Sequence, residues 1–599
     1  MRAVSRKKKS RRRDEEPTPA VEVASTSSAN TRITAVLWYL AGLIGFWSCG
    51  YTVMRGSDLW WHLATGRWIY EHRAIPFVDP WSFTAKQTHW VVDAWLSDFV
   101  FYLWSRVFGT MAIVWWKWIV VVGMFLLLMR ILDRKWSSLP AAWGATMLGA
   151  ATAAPFLDIR PQLYSMLFFV VLLFLALDRE KPSVWIVPLF LAWTNLHAGF
   201  TLGVITLPIL LLPHVLKRES RRRTIILGVA ALAVCLINPN GYRAFTQPIL
   251  YALDSNSPFH SIGEWLPPFE PGGIQSSLYP WMIAAFVVAA MWRLVTRERP
   301  IAWVSLALGF LTLAMSLQSR RFVPIFSTTM TLVLAPLIRD LTTTLLGKIP
   351  RVAMAASAVV LSLVLLWPYP QKAYAFHFLT AEYTFPIETL NLIEKNGIRG
   401  NVFAYFNWGG YIHLRTDGDL KVFIDGRASA LFDETTYLDY IKVLGRRPGW
   451  TGVVDYSGAD YFFWRRQEPH ARELVQTGKW KVVAQDPVSI LLARADRAVP
   501  PLEPSDESAY SHLTAGIFAL ESRDFGRARR ELEKTLEIIP WEGRACDWLA
   551  RVDVFEGKIE EGRRQIEECQ EIFPLPERVD SYEKVVLTYL KNGSIQEPD

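Results

Sequence analysis

The chain has 599 residues, too many for one hydrophobic core, so several domains are expected. Its net charge of +8 is local: residues 1–13 hold eight basic side chains and no acid, and the remainder carries 56 basic and 56 acidic residues. This balance disfavours a nucleic-acid partner. It favours a disordered, basic cytoplasmic tail over 1–32, ahead of a first membrane span.

Long apolar runs continue to residue 368, and ordinary soluble composition follows. A helix needs about 20 apolar residues to cross a bilayer, and several runs reach that length. Clear examples are the segments 33–53, 111–132, 322–338 and 352–367. The sequence therefore predicts a multi-spanning α-helical membrane domain over 33–368. The first run starts too late and is too long for a cleaved signal peptide.

Basic residues collect in short loops that the positive-inside rule places in the cytoplasm with the N-terminus. These loops are 130–135, 179–181, 217–223, 293–299 and 339–351. About eleven crossings fit this arrangement if 95–108 does not cross, and the count reaches about 13 otherwise. Because 95–108 is short and carries Asp98 and Arg106, we expect a helix on the outer face. The loops 54–94 and 238–279 and everything after residue 370 then lie outside the cytoplasm.

Residues 370–498 are predicted to form a small extracytoplasmic α/β domain. Buried strands are expected at 402–405, 421–424, 461–464, 481–484 and 489–493, with helices at 388–396, 434–444 and 469–477. The glycines at 409 and 410 lack the spacing of a phosphate-binding loop. Asp425-Gly426-Arg427 is interpreted as a structural turn after a strand, although sites often lie at such positions.

Residues 509–599 are predicted to form α-α helical repeats with a period of 34 residues. Ala528, Leu532, Thr535 and Pro540 recur as Gly562, Ile566, Cys569 and Pro574. The pattern resembles tetratricopeptide helix pairs, with 581–592 as a capping helix. Such repeats bind protein partners on a concave surface, or here pack on the α/β domain.

The four cysteines predict neither a disulfide framework nor a zinc site. Two of them, Cys49 and Cys235, lie in predicted spans. Cys546 and Cys569 lie in the repeats without metal-ligand spacing.

The loop after the first span holds the main catalytic candidates. Asp58 and His62 stand four residues apart in an amphipathic segment, so they share one helical face. A carboxylate just outside the bilayer can act as a general base or bind a divalent metal. We predict that Asp58 and His62 are catalytic, with Asp58 also a candidate ligand for Mg²⁺ or Mn²⁺. The alternatives are a helix cap at Asp58 and an interfacial histidine at His62.

Five sequence runs carry a family resemblance: DLWWHLATGRWI, IPFVDPWSFT, INPNGYR, GEWLPP and FIDGR. They resemble a group of bacterial inner-membrane proteins placed near the GT-C-fold glycosyltransferases. The resemblance covers roughly residues 33–500. It implies a GT-C-like membrane domain, a polyprenyl-phosphate-linked sugar donor and a reaction outside the cytoplasm. The catalytic aspartate of the family carries over to Asp58.

This sequence departs from the family immediately after that aspartate. Many members have a second acidic residue beside the first, where this chain has Leu59, Trp60 and Trp61. A metal site with two carboxylates then needs Asp79 or Asp93 to supply the second ligand. A structural turn at Asp79-Pro80 is the alternative.

The resemblance also implies that cationic and sugar-binding residues lie near Asp58. Arg160, Arg320 and Arg321 stand at predicted outer ends of spans, at the depth of a lipid phosphate, where phospholipid headgroups are the alternative partner. The remaining predicted substrate-binding residues, at span ends or in outer loops, are Asp79, Asp93, His197, Glu264 and Trp265. Glu264 and Trp265 suit hydrogen bonding and stacking with a sugar, or anchoring at the interface.

Two other functions stay open. The missing acidic pair favours a non-catalytic scaffold or assembly protein of the cell envelope that binds partners through its repeats. A transporter ranks last, because the predicted spans contain few ionisable residues to line a pathway.

Overall fold

The computed structural model describes residues 22–52, 57–85, 89–177, 181–253, 257–296, 301–367, 385–540 and 542–572. Most of the predicted tail at 1–32 and the predicted capping helix at 581–592 lie outside these ranges.

Helices fill the described part of the chain before residue 367. They are α1 Glu22–Cys49, α2 Asp58–His72, α3 Trp95–Phe108, α4 Ile113–Trp136, α5 Leu139–Ala153, α6 Gln162–Leu177, α7 Ile186–Leu196, α8 Phe200–Leu216, α9 Arg221–Val234, α10 Arg243–Leu253, α11 Tyr279–Thr296, α12 Ile301–Gln318, α13 Val323–Leu346 and α14 Arg351–Leu366. The helix predicted at 95–108 has the predicted bounds, and Gly109 follows its last residue as the C-cap.

Several of these helices are suited to a bilayer. Four segments are long and apolar enough to cross it: Thr31–Cys49, Thr110–Trp136, Tyr279–Thr296 and Arg320–Leu346. Shorter apolar helices include α6, α7, α8 and α14. Large apolar side chains such as Val229, Met291 and Val364 face outward, which water would disfavour and lipid accepts. The chain is a multi-pass membrane protein, and the count of 11–13 helices stays a prediction.

Small residues let the apolar helices approach closely. Helix α5 packs along α13 and buries Ala141, Ala145 and Gly149. A methyl group on Gly149 would stand 2.9 Å from the Ser327 carbonyl oxygen. Close backbone approach of this kind replaces the hydrophobic effect as the main source of helix association in lipid.

The soluble region after residue 385 contains a five-stranded mixed sheet. Its elements are β1 Gly400–Ala404, β2 Leu420–Val422, β3 Tyr461–Arg465, β4 Trp480–Gln485 and β5 Ser489–Arg494, with helices α15 Ile387–Lys395, α16 Gly409–Thr416, α17 Glu434–Leu444, α18 Trp450–Tyr456 and α19 His470–Gln476. The strand order is β2-β1-β3-β5-β4; β1 runs parallel to β2 and β3, and β5 runs antiparallel to β3 and β4. Each predicted strand overlaps one of these.

The first outer loop and the sheet form one packed unit. Ser82 makes a parallel bridge with Val422 on β2, and the Val422 N–H donates to the Trp81 carbonyl at 2.9 Å. Helix α2 packs on α16, where Trp60 contacts the rings of Phe385 and Tyr411. The sheet is therefore fixed to the segment that carries Asp58.

Gly410 is where α16 comes closest to α2. A Cβ added there would lie 2.8 Å from the Trp61 backbone nitrogen, whereas one added at Gly452 in α18 would meet nothing within 4 Å. Alanine stabilises an open helical position by about 0.5–1 kcal/mol relative to glycine. We expect Gly410→Ala to lower the melting temperature in detergent and Gly452→Ala to keep or raise it. Equal melting temperatures for the two variants would contradict this packing.

Two antiparallel helix pairs follow the sheet: α20 Ala509–Glu521 with α21 Phe525–Ile538, and α22 Gly543–Phe555 with α23 Ile559–Ile572. The small residues of the repeat pattern lie in the contacts: Ala528 is buried, and a Cβ on Gly562 would lie 2.8 Å from the Ala550 carbonyl oxygen. Arg466 donates to the Glu521 carboxylate at 2.8 and 2.7 Å, which joins the pairs to the sheet. Their tetratricopeptide character stays a prediction.

The expectation of no disulfide was wrong for the repeats. Cys546 and Cys569 form a disulfide across the second helix pair, with their Cα atoms 5.7 Å apart. The residues are 23 positions apart in sequence, and the antiparallel turn between α22 and α23 brings them level. Spacing alone did not reveal this, because the pairing depends on how the helices fold back.

Candidate functional site

The site is built around the first turn of α2. Asp58 is the first residue of that helix, and its side chain is 26% exposed. Arg160, from the connection between α5 and α6, places Nη1 3.3 Å from Asp58 Oδ2. The same guanidinium contacts the Glu264 carboxylate, and its Nε lies 3.9 Å from Asp158 Oδ2. Three segments that are far apart in sequence thus meet at one cation.

Arg321 stands beside this group. Its guanidinium lies over the Trp265 indole, 4.8 Å from the ring centroid, and its carbonyl accepts from Gln162 Nε2 at 3.4 Å. Together, Asp58, Asp158, Arg160, Glu264 and Arg321 are called the charged cluster below. Four of the five were found from sequence, and Trp265 borders them as predicted.

Within the charged cluster, the pKa values of Asp58 and Glu264 are shifted in opposite directions. Burial raises the pKa of Asp58, and Arg160 only partly opposes this. Burial acts on Glu264 in the same sense, but Arg160 and Arg321 outweigh it and lower the Glu264 pKa. Glu264 is therefore the firmly ionised partner of the arginines, while Asp58 is the better proton acceptor.

His62 has an acidic partner that sequence reasoning did not assign to the site. Its Nδ1 lies 2.5 Å from Oδ1 of Asp98 on α3, and both side chains are buried. Burial, His197 and Arg160 lower the His62 pKa, while burial and Asp93 raise that of Asp98. The sequence feature that could have drawn attention to Asp98 is an acidic residue on the apolar face of a short helix, α3.

His197 is held in one tautomer. Its Nδ1 accepts from the Gly199 N–H at 3.0 Å and from Ser165 Oγ at 2.7 Å, and Ser165 Oγ in turn accepts from Trp193 Nε1. The ring proton is therefore on Nε2. Burial and Arg321 lower the His197 pKa to about 3, so the ring is a neutral donor at physiological pH.

Asp93 also belongs to this neighbourhood. Burial raises its pKa, and the charge of Arg321 opposes that shift.

Asp79 lies in a different network from Asp58. It accepts from Arg427 Nη1 at 2.6 Å, and Arg427 also binds Asp425, which pairs with His413 at 2.9 Å. Asp79, His413, Asp425 and Arg427 form what is called the Arg427 network. All four are buried, and the rings of Trp81 and Trp90 cover the guanidinium. This geometry does not support the predicted substrate or metal role of Asp79.

The turn at 425–427 belongs to the Arg427 network and also contacts the charged cluster. Burial would raise the Asp425 pKa, but the Arg427 charge and hydrogen bonds outweigh it and lower that pKa. The turn also brings Gly426 against the charged cluster, where an added Cβ would lie 3.2 Å from Asp58 Oδ1. Sequence reasoning recognised the turn and missed its contact with Asp58.

Arg320 organises a loop. Its guanidinium is 1% exposed and donates to the carbonyls of Leu266, Pro267 and Glu270 and to that of Gly272. With its donors used by backbone, the geometry does not support the predicted substrate role. Arg320 instead holds the segment that presents Glu264 and Trp265.

The carboxylates of the charged cluster do not fit Mg²⁺ or Mn²⁺ as they are arranged. Each of the three turns toward Arg160, whose guanidinium occupies the space between them. Within the residues that the structure describes, no group of three or more His, Cys, Asp or Glu side chains is placed to hold a metal ion. The arrangement therefore does not support Asp58 as a metal ligand.

No protein-family model and no curated protein sequence matches this chain. The fold is similar to solved structures of an oligosaccharyltransferase from Archaeoglobus fulgidus. The apo form is 12% identical, covering 80% of this chain and 77% of that one, with a TM-score of 0.49. The complex of AglB with an inhibitory peptide and a dolichol-phosphate is 11% identical, covering 96% and 87%, with a TM-score of 0.49. Function is therefore inferred from the geometry of the charged cluster.

Most of the predicted site residues meet at that cluster or beside it. Asp58, Arg160 and Glu264 are joined by direct contacts, and Arg321 lies over the ring of Trp265, which follows Glu264 in the chain. His62, Asp93 and His197 lie close enough for their pKa values to respond to its arginines. Asp79 and Arg320 support the surrounding structure, and Asp98 and Asp158 are additions that the fold supplies.

Proposed function

We propose that the chain is a membrane glycosyltransferase that moves a sugar from a polyprenyl-phosphate-linked donor to an acceptor hydroxyl outside the cytoplasm. The observation that carries this proposal is the convergence of Asp58, Arg160 and Glu264 in direct contact, with Arg321 close enough to lower the Glu264 pKa. A carboxylate base beside two arginines suits the transfer of a group away from a phosphate.

The position of the arginines supports a lipid-borne phosphate. Arg321 is the second residue of the candidate span Arg320–Leu346, and Arg160 precedes the apolar helix α6 by two residues. Charges at these positions lie where a lipid phosphate meets the hydrocarbon boundary. Arginine suits phosphate because its guanidinium donates two parallel hydrogen bonds and stays protonated.

In the proposed step, Asp58 accepts the proton of the acceptor hydroxyl as that oxygen attacks the anomeric carbon of the donor sugar. The bond between this carbon and the phosphate oxygen breaks, and its electron pair leaves with the polyprenyl phosphate. Arg321 and Arg160 stabilise the charge on the departing phosphate. Trp265 offers a ring for stacking with the sugar, and His197 offers a neutral N–H donor.

An extracytoplasmic location is part of the proposal. The Cys546–Cys569 disulfide supports it, because structural disulfides persist in oxidising compartments such as the periplasm. The basic loops support a cytoplasmic N-terminus in a bacterial inner membrane, and in this orientation the charged cluster would face away from the cytoplasm.

The proposal is tested by deleting the gene in its source organism and measuring lipid-linked sugars and envelope glycans by mass spectrometry. We expect one polyprenyl-phosphate-linked sugar to accumulate and one glycan or glycolipid to lose that sugar. Complementation with the wild-type chain should restore both. Unchanged pools in the deletion strain would contradict the proposal.

Arg321→Met is expected to weaken binding of a polyprenyl phosphate about 10- to 100-fold, since hydrogen bonds to charged groups contribute about 1.5–3 kcal/mol. Binding of decaprenyl phosphate to the purified protein is measured by native mass spectrometry, with phosphatidylglycerol and inorganic phosphate as comparison ligands. Arg67→Met is the control, because Arg67 pairs with exposed Asp417. Equal affinities for wild type and Arg321→Met would exclude this role.

A further inference from the structure

We propose that Arg160 is the resident cation of the charged cluster and takes the place that a divalent metal would occupy between the same carboxylates. The inference deepens the proposed function, since it concerns the same site. Asp58 approaches Nη1 at 3.3 Å, Asp158 approaches Nε at 3.9 Å, and Glu264 contacts Nη1. Three acids from separate segments therefore have one common partner.

The chemistry of the guanidinium keeps a positive charge between these carboxylates at every pH at which the protein is folded. Arginine stays protonated throughout the pH range in which proteins fold, and its five N–H donors allow several carboxylates to share one side chain. A metal ion entering between these carboxylates would have to displace the guanidinium or stand beside it. Displacement would separate the guanidinium from its carboxylate partners, and a metal ion beside the guanidinium would bring two positive charges together.

The residues after Asp58 match this interpretation. A second carboxylate is absent at positions 59–61, and Trp60 instead packs against Phe385 and Tyr411, where α2 meets the sheet. Gly410 approaches the Trp61 backbone in the same contact. Residues 59–61 therefore pack α2 against the sheet, while Arg160 supplies the positive charge from another part of the chain.

A resident arginine has a direct role in the proposed reaction. It holds Asp58 in position and opposes the rise of the Asp58 pKa that burial causes. It also offers charge to the leaving phosphate without a metal ion. On this basis the wild-type site binds no divalent cation, and removal of the guanidinium takes away the cation that Asp58 and Glu264 share, so that a divalent ion can replace it.

The test is titration of the purified full chain with Mn²⁺, followed by electron paramagnetic resonance, in which bound Mn²⁺ loses its sharp solution signal. We expect no Mn²⁺ site in the wild type that depends on Glu264, and one Mn²⁺ per chain in Arg160→Ala. Adding Glu264→Gln to Arg160→Ala should abolish that binding. Arg160→Lys retains the positive charge and is expected to bind none.

The inference is overturned if the wild type binds one Mn²⁺ per chain and Glu264→Gln removes it. A folded Arg160→Ala chain that binds no Mn²⁺ also contradicts it. If Arg160→Ala does not fold, the wild-type and Glu264→Gln titrations still decide the question. None of these results depends on sugar transfer, so failure of the proposed function, seen as unchanged glycan pools, remains distinguishable.

Discussion

Asp58→Asn is expected to lower sugar transfer by about 10²- to 10⁴-fold, the usual contribution of a general base. The amide keeps the size of the side chain but cannot accept the proton of the acceptor hydroxyl. Because Arg160 retains Glu264 and Asp158 as partners, the melting temperature should change little. The measurement is the amount of the missing glycan in the deletion strain, complemented with each variant at equal protein level.

Asp417→Asn is the matched control for this prediction. Asp417 carries the same chemical change, pairs with Arg67 at the surface and is 62% exposed. It has a positive φ of 50°, which asparagine accepts readily. We expect Asp417→Asn to restore the glycan fully. Full restoration by Asp58→Asn as well would remove Asp58 from the proposed mechanism.

Arg427→Met is expected to lower the free energy of unfolding by about 3–5 kcal/mol, because breaking a buried ion pair leaves uncompensated charge in a dry interior. The side chains of Arg427, Asp79 and Asp425 are 1%, 2% and 0% exposed, so both acids lose their positively charged partner out of reach of water. The network joins the first outer loop to the sheet. The variant should therefore also make the link between these parts sensitive to limited proteolysis.

The control is Arg399→Met, since Arg399 pairs with Asp419 at 3.1 Å on an exposed surface. Surface pairs of this kind contribute about 0–1 kcal/mol. The measurement is denaturant or thermal unfolding of both variants in the same detergent. If Arg427→Met is as stable as Arg399→Met, the Arg427 network does not hold the loop to the sheet.

Local signals in the sequence were sufficient for many elements of the fold. Helix α17 has its predicted bounds because the Asp433 side chain caps its start and Gly445 follows its end. Helix α16 was missed, since two consecutive glycines suggest a turn. Gly410 approaches Trp61 on α2 and Gly409 approaches Asp425, so neither position has room for a side chain, and tertiary packing overrides the local preference.

Most residues of the candidate site could be named from the sequence, but the contacts between them could not. Polar residues at the ends of apolar segments drew attention to Asp58, Arg160, Glu264 and Arg321. Their contacts join positions 104 residues apart, as between Arg160 and Glu264, and periodicity contains no information at that range. For the same reason, the sequence suggested Asp79 as a second ligand beside Asp58, whereas in the structure the Asp79 carboxylate pairs with Arg427.

The sequence alone could not distinguish a metal site from a resident arginine; the three-dimensional structure was required. In sequence, an acidic residue near the membrane and a missing acidic neighbour left the metal question open. The structure brings Asp158 and Glu264 to the same place as Asp58, and it also brings Arg160. Only the three-dimensional structure shows that these three carboxylates approach the same guanidinium, that of Arg160.

The proposed function of the charged cluster is sugar transfer from a polyprenyl-phosphate donor. Its most direct test reconstitutes the purified full chain in liposomes with lipid extract from the deletion strain and follows release of polyprenyl phosphate by mass spectrometry. We predict that the wild-type chain consumes one lipid-linked sugar and releases its polyprenyl phosphate, and that Asp58→Asn does not. No release by the wild type, or equal release by both chains, would contradict the claim.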